Sequence, residues 1–197
     1  KIIKKIQCHI LLSSLNSIHF FEMHFILFLL ICFIKSDDDP TTEAGPTGDR
    51  CQYTADQLNK LGTSISITDT SNLQEFWFCQ NLQKKDFTVD MEVLGDYFFY
   101  KSNAVSVTLT KKVKTIGTGV FAFCPFLKLT IEAGRKFDKI SQGAFYKSTL
   151  SSSSVIPSNL EIDILEQHAF YYCSLPTLSV KLGRDVPESA FDHCRIS

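Results

Sequence analysis

The sequence predicts a repeat solenoid, in which coils of about 23 residues stack and each contributes a strand to a parallel sheet. The first reason is a phrase around a central Phe that recurs after 23, 22, 24, 25 and 21 residues. The second reason is that short runs of alternating apolar and polar residues separate the copies, as in β-strands. The central residues are Phe76, Phe99, Phe121, Phe145, Phe170 and Phe191.

Composition disfavours some classes of function. The chain has 197 residues, of which 44% are hydrophobic and 21% charged, so it can bury a core. Its 20 Lys and Arg residues nearly balance 21 Asp and Glu residues. Because this balance gives no field to attract nucleic acid or an anionic membrane surface, we expect neither as a partner.

Residues 1–36 form an N-terminal region that we predict to contain a signal peptide over residues 23–36. Ten consecutive apolar residues, Phe25 to Ile34, follow Met23 and end before an acidic run. This run is short for a transmembrane helix, which needs about 20 apolar residues. A membrane anchor and a buried helix are the alternatives. We expect membrane contact only through this segment or through an anchor beyond Ser197.

Three further segments follow. Residues 37–50 are rich in acid, Pro, Gly and Thr, with no apolar residue larger than Ala, which predicts an acidic linker. Residues 51–69 precede the repeats and are expected to cap them. Residues 70–197 hold the repeats, which we expect to be truncated at the C-terminus because the last copy stops inside the recurring phrase.

Fixed columns around the central Phe predict which side chains face the core. From the second copy onward, an aliphatic residue stands five positions before the Phe, at Leu94, Ile116, Ile140, Leu165 and Val186. One coil cannot bury this edge alone, but stacked coils complete a continuous core. We therefore expect inward ladders, with one strand and one return segment per coil. The expected strand runs are "FTVDMEVL", "AVSVTLT", "LKLTIEA", "SSVIPS" and "LPTLSVKLG".

The phrase of an aliphatic residue, a small residue, Phe, Cys three residues later and then Leu resembles the BspA-like leucine-rich repeat family. The best copies are "ILEQHAFYYCSL" and "IGTGVFAFCPFL", and the resemblance covers residues 68–197. It implies a β-rich leucine-rich-repeat solenoid of the α/β horseshoe type, a right-handed superhelix with parallel strands. The copies depart from the pattern at Ser71, Phe98, Ser102, Val120 and Ser148.

The resemblance also implies a function. Family members are largely secreted or surface-attached, adhesin-like proteins. We therefore expect an extracellular or cell-surface protein that binds host or extracellular matrix proteins through its sheet. The outward strand residues expected to select the partner are Thr108, Lys128, Thr130 and Lys181. The alternatives are an intracellular scaffold or regulatory interaction domain, and an enzyme whose catalytic region lies beyond Ser197.

The seven cysteines do not predict a dense disulfide framework, although secretion would permit one. Two of them lie in or before the predicted signal peptide. Four share one repeat column, where Cys is interpreted as a small, buried, apolar residue. Cys51 is left, and its expected covalent partner, if it has one, is Cys79. The column members are Cys79, Cys124, Cys173 and Cys194.

No motif predicts catalysis, a cofactor or a metal site. The sequence has no CxxC or HxxxH spacing for zinc, and no G-x-S-x-G elbow frames a serine. The stretch "GTGVF", residues 117–121, lacks the third glycine of a dinucleotide fingerprint and indicates a turn. The basic cluster "KKVK", residues 111–114, is interpreted as a solvated turn, with a glycan contact as the alternative. We therefore do not expect an enzyme.

Overall fold

The structure, a computed structural model, describes residues 50–69, 75–176, 178–187 and 189–196. Across them the chain winds into a solenoid of about five turns with parallel strands, which confirms the predicted fold class. The predicted signal peptide and all but the last residue of the predicted linker lie outside the described residues. No helix among the described residues is long and apolar enough to cross a membrane.

A short helix precedes the strands, which pair along the solenoid in parallel sheets. The helix α1 is Ala55–Lys60. In chain order the described strands are β1 Ser64–Ile67, β2 Asp86–Val89, β3 Val93–Leu94, β4 Ser106–Leu109, β5 Thr115–Ile116, β6 Lys128–Ile131, β7 Lys136–Ile140, β8 Leu160–Leu165, β9 Ser174–Leu175, β10 Val180–Leu182 and β11 Arg195–Ile196. The first sheet has the order β1-β2-β4-β6, the second sheet has the order β10-β8-β7-β5-β3, and β9 pairs with β11.

The segment before the repeats covers the first coil with a capped helix and a strand. The Thr54 hydroxyl accepts a hydrogen bond from the Gln57 amide at 3.3 Å, and the Thr54 amide donates to the Gln57 side chain at 2.7 Å. This reciprocal capping box satisfies two amides at the start of α1. The Lys85 ammonium donates to the carbonyls of Leu58 and Gly62 at 2.7 and 2.6 Å, so the first coil fastens the end of α1.

Alternation of inward and outward side chains builds the first sheet. In β2, β4 and β6 every second side chain is buried. Because the strands pair in register, equivalent residues of successive coils lie over one another and close a continuous core. The inward rows of these strands are Phe87, Val107 and Leu129, followed by Val89, Leu109 and Ile131.

A stack of phenylalanine rings runs through the solenoid. It extends from Phe76 to Phe191, with successive ring centres between 4.9 and 5.8 Å apart. The rings of Phe99 and Phe121 are nearly parallel, at an angle of 7°. These are the central residues of the recurring phrase, so the predicted aromatic ladder is confirmed.

The prediction of a single strand per coil is wrong, because the return segment carries a strand of its own. The aliphatic column ends these second strands, and Leu94, Ile116 and Ile140 pair in register across β3, β5 and β7. Burial of this column places the adjacent backbone amides inside the stack, where they must find hydrogen-bond partners. The neighbouring coil supplies these partners, and a second parallel sheet results.

The strand predicted in "SSVIPS", residues 153–158, is reduced to an isolated bridge between Val155 and Thr130. Before the bridge, the Ser154 hydroxyl accepts the hydrogen bond of the Leu129 amide at 3.0 Å. After it, Pro157 has no amide to donate. The side-chain acceptor and the proline together prevent extension of the pairing.

Candidate functional site

Three of the four predicted partner-binding residues lie together on the outer side of the first sheet. Thr108 of β4 and Thr130 of β6 are register partners, and Lys128 lies two residues before Thr130 on the same side of β6. Each of them is exposed or half-exposed, because the alternate residues of these strands point into the core.

The fourth predicted residue, Lys181, lies on a different surface. It belongs to β10 of the second sheet, where its ammonium is 2.5 Å from the carboxylate of Glu161 on β8. The two sheets are built from different segments of each coil. Lys181 therefore does not share a face with the other three residues.

We call the outer side of β1, β2, β4 and β6 the outer sheet face. Two in-register rows cross this face from strand to strand. One row consists only of hydroxyl side chains, and the other consists of two hydroxyl side chains, one acid and one lysine. Their donors and acceptors can contact a partner while the inward rows maintain the fold. The rows are Ser66, Thr88, Thr108 and Thr130, and Ser64, Asp86, Ser106 and Lys128.

A second surface, which the sequence did not reveal, follows the corner after each central Phe. It consists of the residue two positions after that Phe, and we call it the aromatic-lysine ridge. Rings and cations alternate along it: the ammonium of Lys101 lies 5.4 Å from the ring centre of Phe78 and 5.2 Å from that of Phe123. The ridge residues are Phe78, Lys101, Phe123, Lys147, Tyr172 and His193.

The alternation continues along the ridge. The ammonium of Lys147 lies 5.7 Å from the ring centre of Phe123 and 5.9 Å from that of Tyr172. The ring of His193 stacks on Tyr172 with centres 4.4 Å apart. Cation–π contacts at exposed sites contribute about 0.5 to 1 kcal/mol each, so the rings help to hold the lysines over them.

Every ridge residue has a left-handed backbone, with φ between 51° and 60°. This conformation costs a residue with a side chain about 1 to 2 kcal/mol, and it is unusual for a bulky residue. Two positions before the central Phe the backbone is left-handed as well, at Gly119 and Gly143 but also at Tyr97 and His168. Four successive coils therefore have two left-handed positions each, and both positions accept residues with large side chains.

Two of the three lysines of "KKVK", Lys112 and Lys114, pair with acids of the preceding coil, and the buried Val113 between them directs both outward. The ammonium of Lys112 is 3.4 Å from Asp90, and that of Lys114 is 2.9 Å from Glu92. The hydrogen bond and charge of Lys114 lower the pKa of Glu92, while Glu92 raises the pKa of Lys114. This pairing agrees with a solvated turn, because it neutralises two of the three lysine charges of the cluster.

Cys51 and Cys79 form a disulfide with their Cα atoms 4.5 Å apart, so the pairing that the sequence suggested is confirmed.

The apolar interpretation of the Cys column was incomplete, since the Cys124 thiol also donates to the carbonyl of Phe99 at 3.2 Å. Burial raises the pKa of Cys124 to about 12, and burial also raises the pKa of Cys173. Both thiols stay protonated at neutral pH and are poor nucleophiles.

The described residues contain no group of three His, Cys, Asp or Glu side chains that could hold a metal ion. Stacked coils with in-register parallel strands define a repeat solenoid. The model of the BspA type leucine rich repeat region matches residues 69–197 in six copies, and the chain belongs to this family. Membership indicates repeat-mediated protein binding or an adhesin-like role, on a scaffold that is generally not enzymatic. No curated protein and no solved structure matches the chain significantly.

Proposed function

We propose that the chain is a secreted or cell-surface protein that binds extracellular or host proteins through its outer sheet face. Two unbroken in-register rows of hydroxyl and charged side chains on that face carry this proposal. Buried ladders hold the coils together, so the outer rows are free to match a partner. Many hydrogen bonds spread over one surface are typical of a protein interface.

The disulfide between Cys51 and Cys79 supports export. Disulfides persist in oxidising compartments and are rare in the cytosol, where thiols are kept reduced. The apolar run from Phe25 to Ile34 has the length of a signal-peptide core, which supports the same compartment. An intracellular scaffold is the competing proposal, and its compartment disfavours this disulfide.

Surface proteolysis of intact cells tests export. In cells that express the full reading frame, we expect external protease to degrade the protein. N-terminal sequencing of the untreated product is expected to begin near Asp37, after removal of the signal peptide. A protein that is protected from protease and retains Met23 would contradict export and favour the intracellular scaffold.

Charge substitution tests the outer sheet face. We expect the double variant Thr108→Glu, Thr130→Glu to weaken binding to extracellular matrix protein about tenfold or more, because two carboxylates replace adjacent hydroxyls at the contact. Binding is measured by biosensor on immobilised collagen, fibronectin and laminin. Thr115→Glu is the matched control, since Thr115 is a half-exposed threonine of β5 on the second sheet. An equal loss in the control would assign the contact to another surface.

A further inference from the structure

We propose that Phe126 anchors the protein partner at the outer sheet face. Its ring enters an apolar pocket of the bound protein, and a carboxylate at the rim of that pocket pairs with Lys128. Phe126 and Lys128 lie on the same side of the chain, because Leu127 between them is buried. The inference rests on the proposed function, since it states the chemistry of the partner at that same face.

Phe126 has 71% of its surface exposed, the largest exposed fraction among the large apolar side chains of the described residues. An aromatic ring removes much apolar surface from water when it is buried on binding, so aromatic residues are frequent anchors at interfaces. A single exposed apolar residue is nevertheless common at protein surfaces. Three further features distinguish Phe126: the backbone that presents it, the charge of Lys128 and a second exposed apolar residue on the same side.

A β-bulge before β6 presents Phe126 to solvent. The Thr149 amide donates to the Cys124 carbonyl at 2.9 Å, and the Thr149 carbonyl accepts from the Leu127 amide at 2.9 Å. Pro125 and Phe126 therefore both lie opposite Thr149, where regular parallel pairing has a single residue. Bulges turn a side chain to a new direction and are over-represented next to functional sites.

Pro125 permits this bulge. In other coils the residue after the Cys column donates its amide to the preceding coil, as Asn103 does to the Cys79 carbonyl at 3.1 Å. Pro125 occupies the equivalent position and has no amide to donate. No amide hydrogen bond therefore holds Pro125 to the preceding coil, and the extra residue is accommodated there without the loss of one.

Lys128 has a positive charge that the neighbouring coils do not neutralise. Its ammonium has no carboxylate within ion-pair distance in the described part of the chain, whereas five other lysines of the solenoid pair with a neighbouring coil. The acid of its own row, Asp86, lies two strands away, which is about 9.6 Å at the usual strand spacing. An exposed cation beside an aromatic ring favours a partner that has a carboxylate next to an apolar pocket.

Val155 adds apolar surface on the other side of Lys128. It is 56% exposed, and its bridge to Thr130 places it on the outer side of the next coil. Phe126 lies two residues before Lys128 along the chain, and Thr130 lies two residues after it. Apolar contacts around a charged contact exclude water from it, which strengthens the ion pair that Lys128 forms with the partner.

Truncation of the ring tests the anchor. Binding is measured by biosensor on collagen, fibronectin and laminin. We expect Phe126→Ala to weaken binding to the protein that the unchanged chain binds by about thirtyfold or more, the usual effect of removing an interface anchor. Val93→Ala is the matched control, because Val93 is 52% exposed but belongs to β3 of the second sheet. Equal binding by the Phe126→Ala variant and the unchanged chain would overturn the anchor.

A synthetic host tests the same site without a protein partner. Carboxymethyl-β-cyclodextrin has an apolar cavity with carboxylates at its rim, which is the chemistry proposed for the partner. In an NMR titration of the nitrogen-15-labelled full chain, we expect the largest shift changes at the amides of Phe126, Leu127 and Lys128. The Phe126→Ala variant should lose these changes. Neutral β-cyclodextrin should bind the site about threefold more weakly, because it has no acid for Lys128.

The two experiments separate the inference from the proposed function. Absence of binding to all three matrix proteins would contradict the proposed function, and the cyclodextrin titration would still decide whether Phe126 and Lys128 form the site. Largest shift changes at another exposed ring, such as Tyr172 of the aromatic-lysine ridge, would overturn the inference. Equal affinity for the charged and the neutral host would also overturn it.

Discussion

Replacing Phe121 by Ala is expected to lower the free energy of unfolding by about 3 to 5 kcal/mol, the usual cost of truncating a buried Phe. The ring is fully buried and stacks between those of Phe99 and Phe145, at centre distances of 5.5 and 5.2 Å. Truncation leaves a cavity in the middle of the ring stack, which the hydrogen-bonded coils on both sides cannot close by collapsing. Denaturant titration followed by circular dichroism measures the loss.

Phe126→Ala is the matched control for this prediction. Phe126 is 71% exposed, so the same truncation removes little buried surface. We expect its effect to stay within about 0.5 kcal/mol. Similar losses in the two variants would show that the ring stack does not dominate the stability of the solenoid.

Loss of the disulfide between Cys51 and Cys79 is expected to lower the free energy of unfolding by about 3 kcal/mol, because the bond constrains a long loop in the unfolded chain. The two cysteines are 28 residues apart. The bond also fastens α1 and β1 to the first coil, where Lys85 and β2 contact them. Denaturant titration with and without reductant measures the loss.

Cys51→Ser provides the control for the reductant. This variant should unfold at a lower denaturant concentration than the oxidised chain, and reductant should not shift it further. Among the described residues the other cysteines, Cys124, Cys173 and Cys194, are free thiols, so reductant has no other bond to break there. A reductant effect on the variant, or none on the unchanged chain, would contradict the prediction.

The inward ladders were predictable because they repeat both along the sequence and in space. A parallel solenoid stacks equivalent positions, so the burial of one column member implies the burial of the next. Leu94, Ile116 and Ile140 are accordingly a column in the sequence and a row of the second sheet. The disulfide was predictable from a similar comparison of cysteine positions, since Cys51 stands outside the repeat column.

The assignment of strands to sheets was not predictable. β3 and β5 are two residues long, which is too short for alternation to show. Alternation around Lys181 indicates a strand but does not say which sheet it joins, and β10 joins the second. Sheet membership is decided by which segments of neighbouring coils meet, and this is a long-range property.

Two buried cations were also beyond prediction, because Lys and Arg are usually exposed. Lys85 donates to a carbonyl 27 residues away in the sequence. Arg135 donates to the carbonyl of Thr110 at 2.7 Å and lies 4.1 Å from the ring centre of Phe137. Burial lowers the pKa of Arg135 to about 10. Distant carbonyls accept hydrogen bonds from both buried side chains, and residue type alone does not reveal these acceptors.

The residues of the aromatic-lysine ridge form a column in the sequence, but the sequence does not show that they share one surface. Its column reads Phe, Lys, Phe, Lys, Tyr and His. Sequence reasoning expects Gly or Asn where the backbone is left-handed, so bulky residues gave no sign of that conformation. They lie together at one corner of the solenoid because of the geometry of the turn after each central Phe.

The stack of phenylalanine rings lets the protein change length in whole coils. Phe121 and Phe145 occupy equivalent positions, so deletion of residues 122–145 would bring Phe170 over Phe121 and keep a full set of neighbours in each column. Gain of a coil is equally simple, because the new coil meets only copies of contacts that already exist. The number of coils therefore sets the extent of the surface offered to a partner. Duplication of a coil can increase that extent during evolution without any change in the packing of the core.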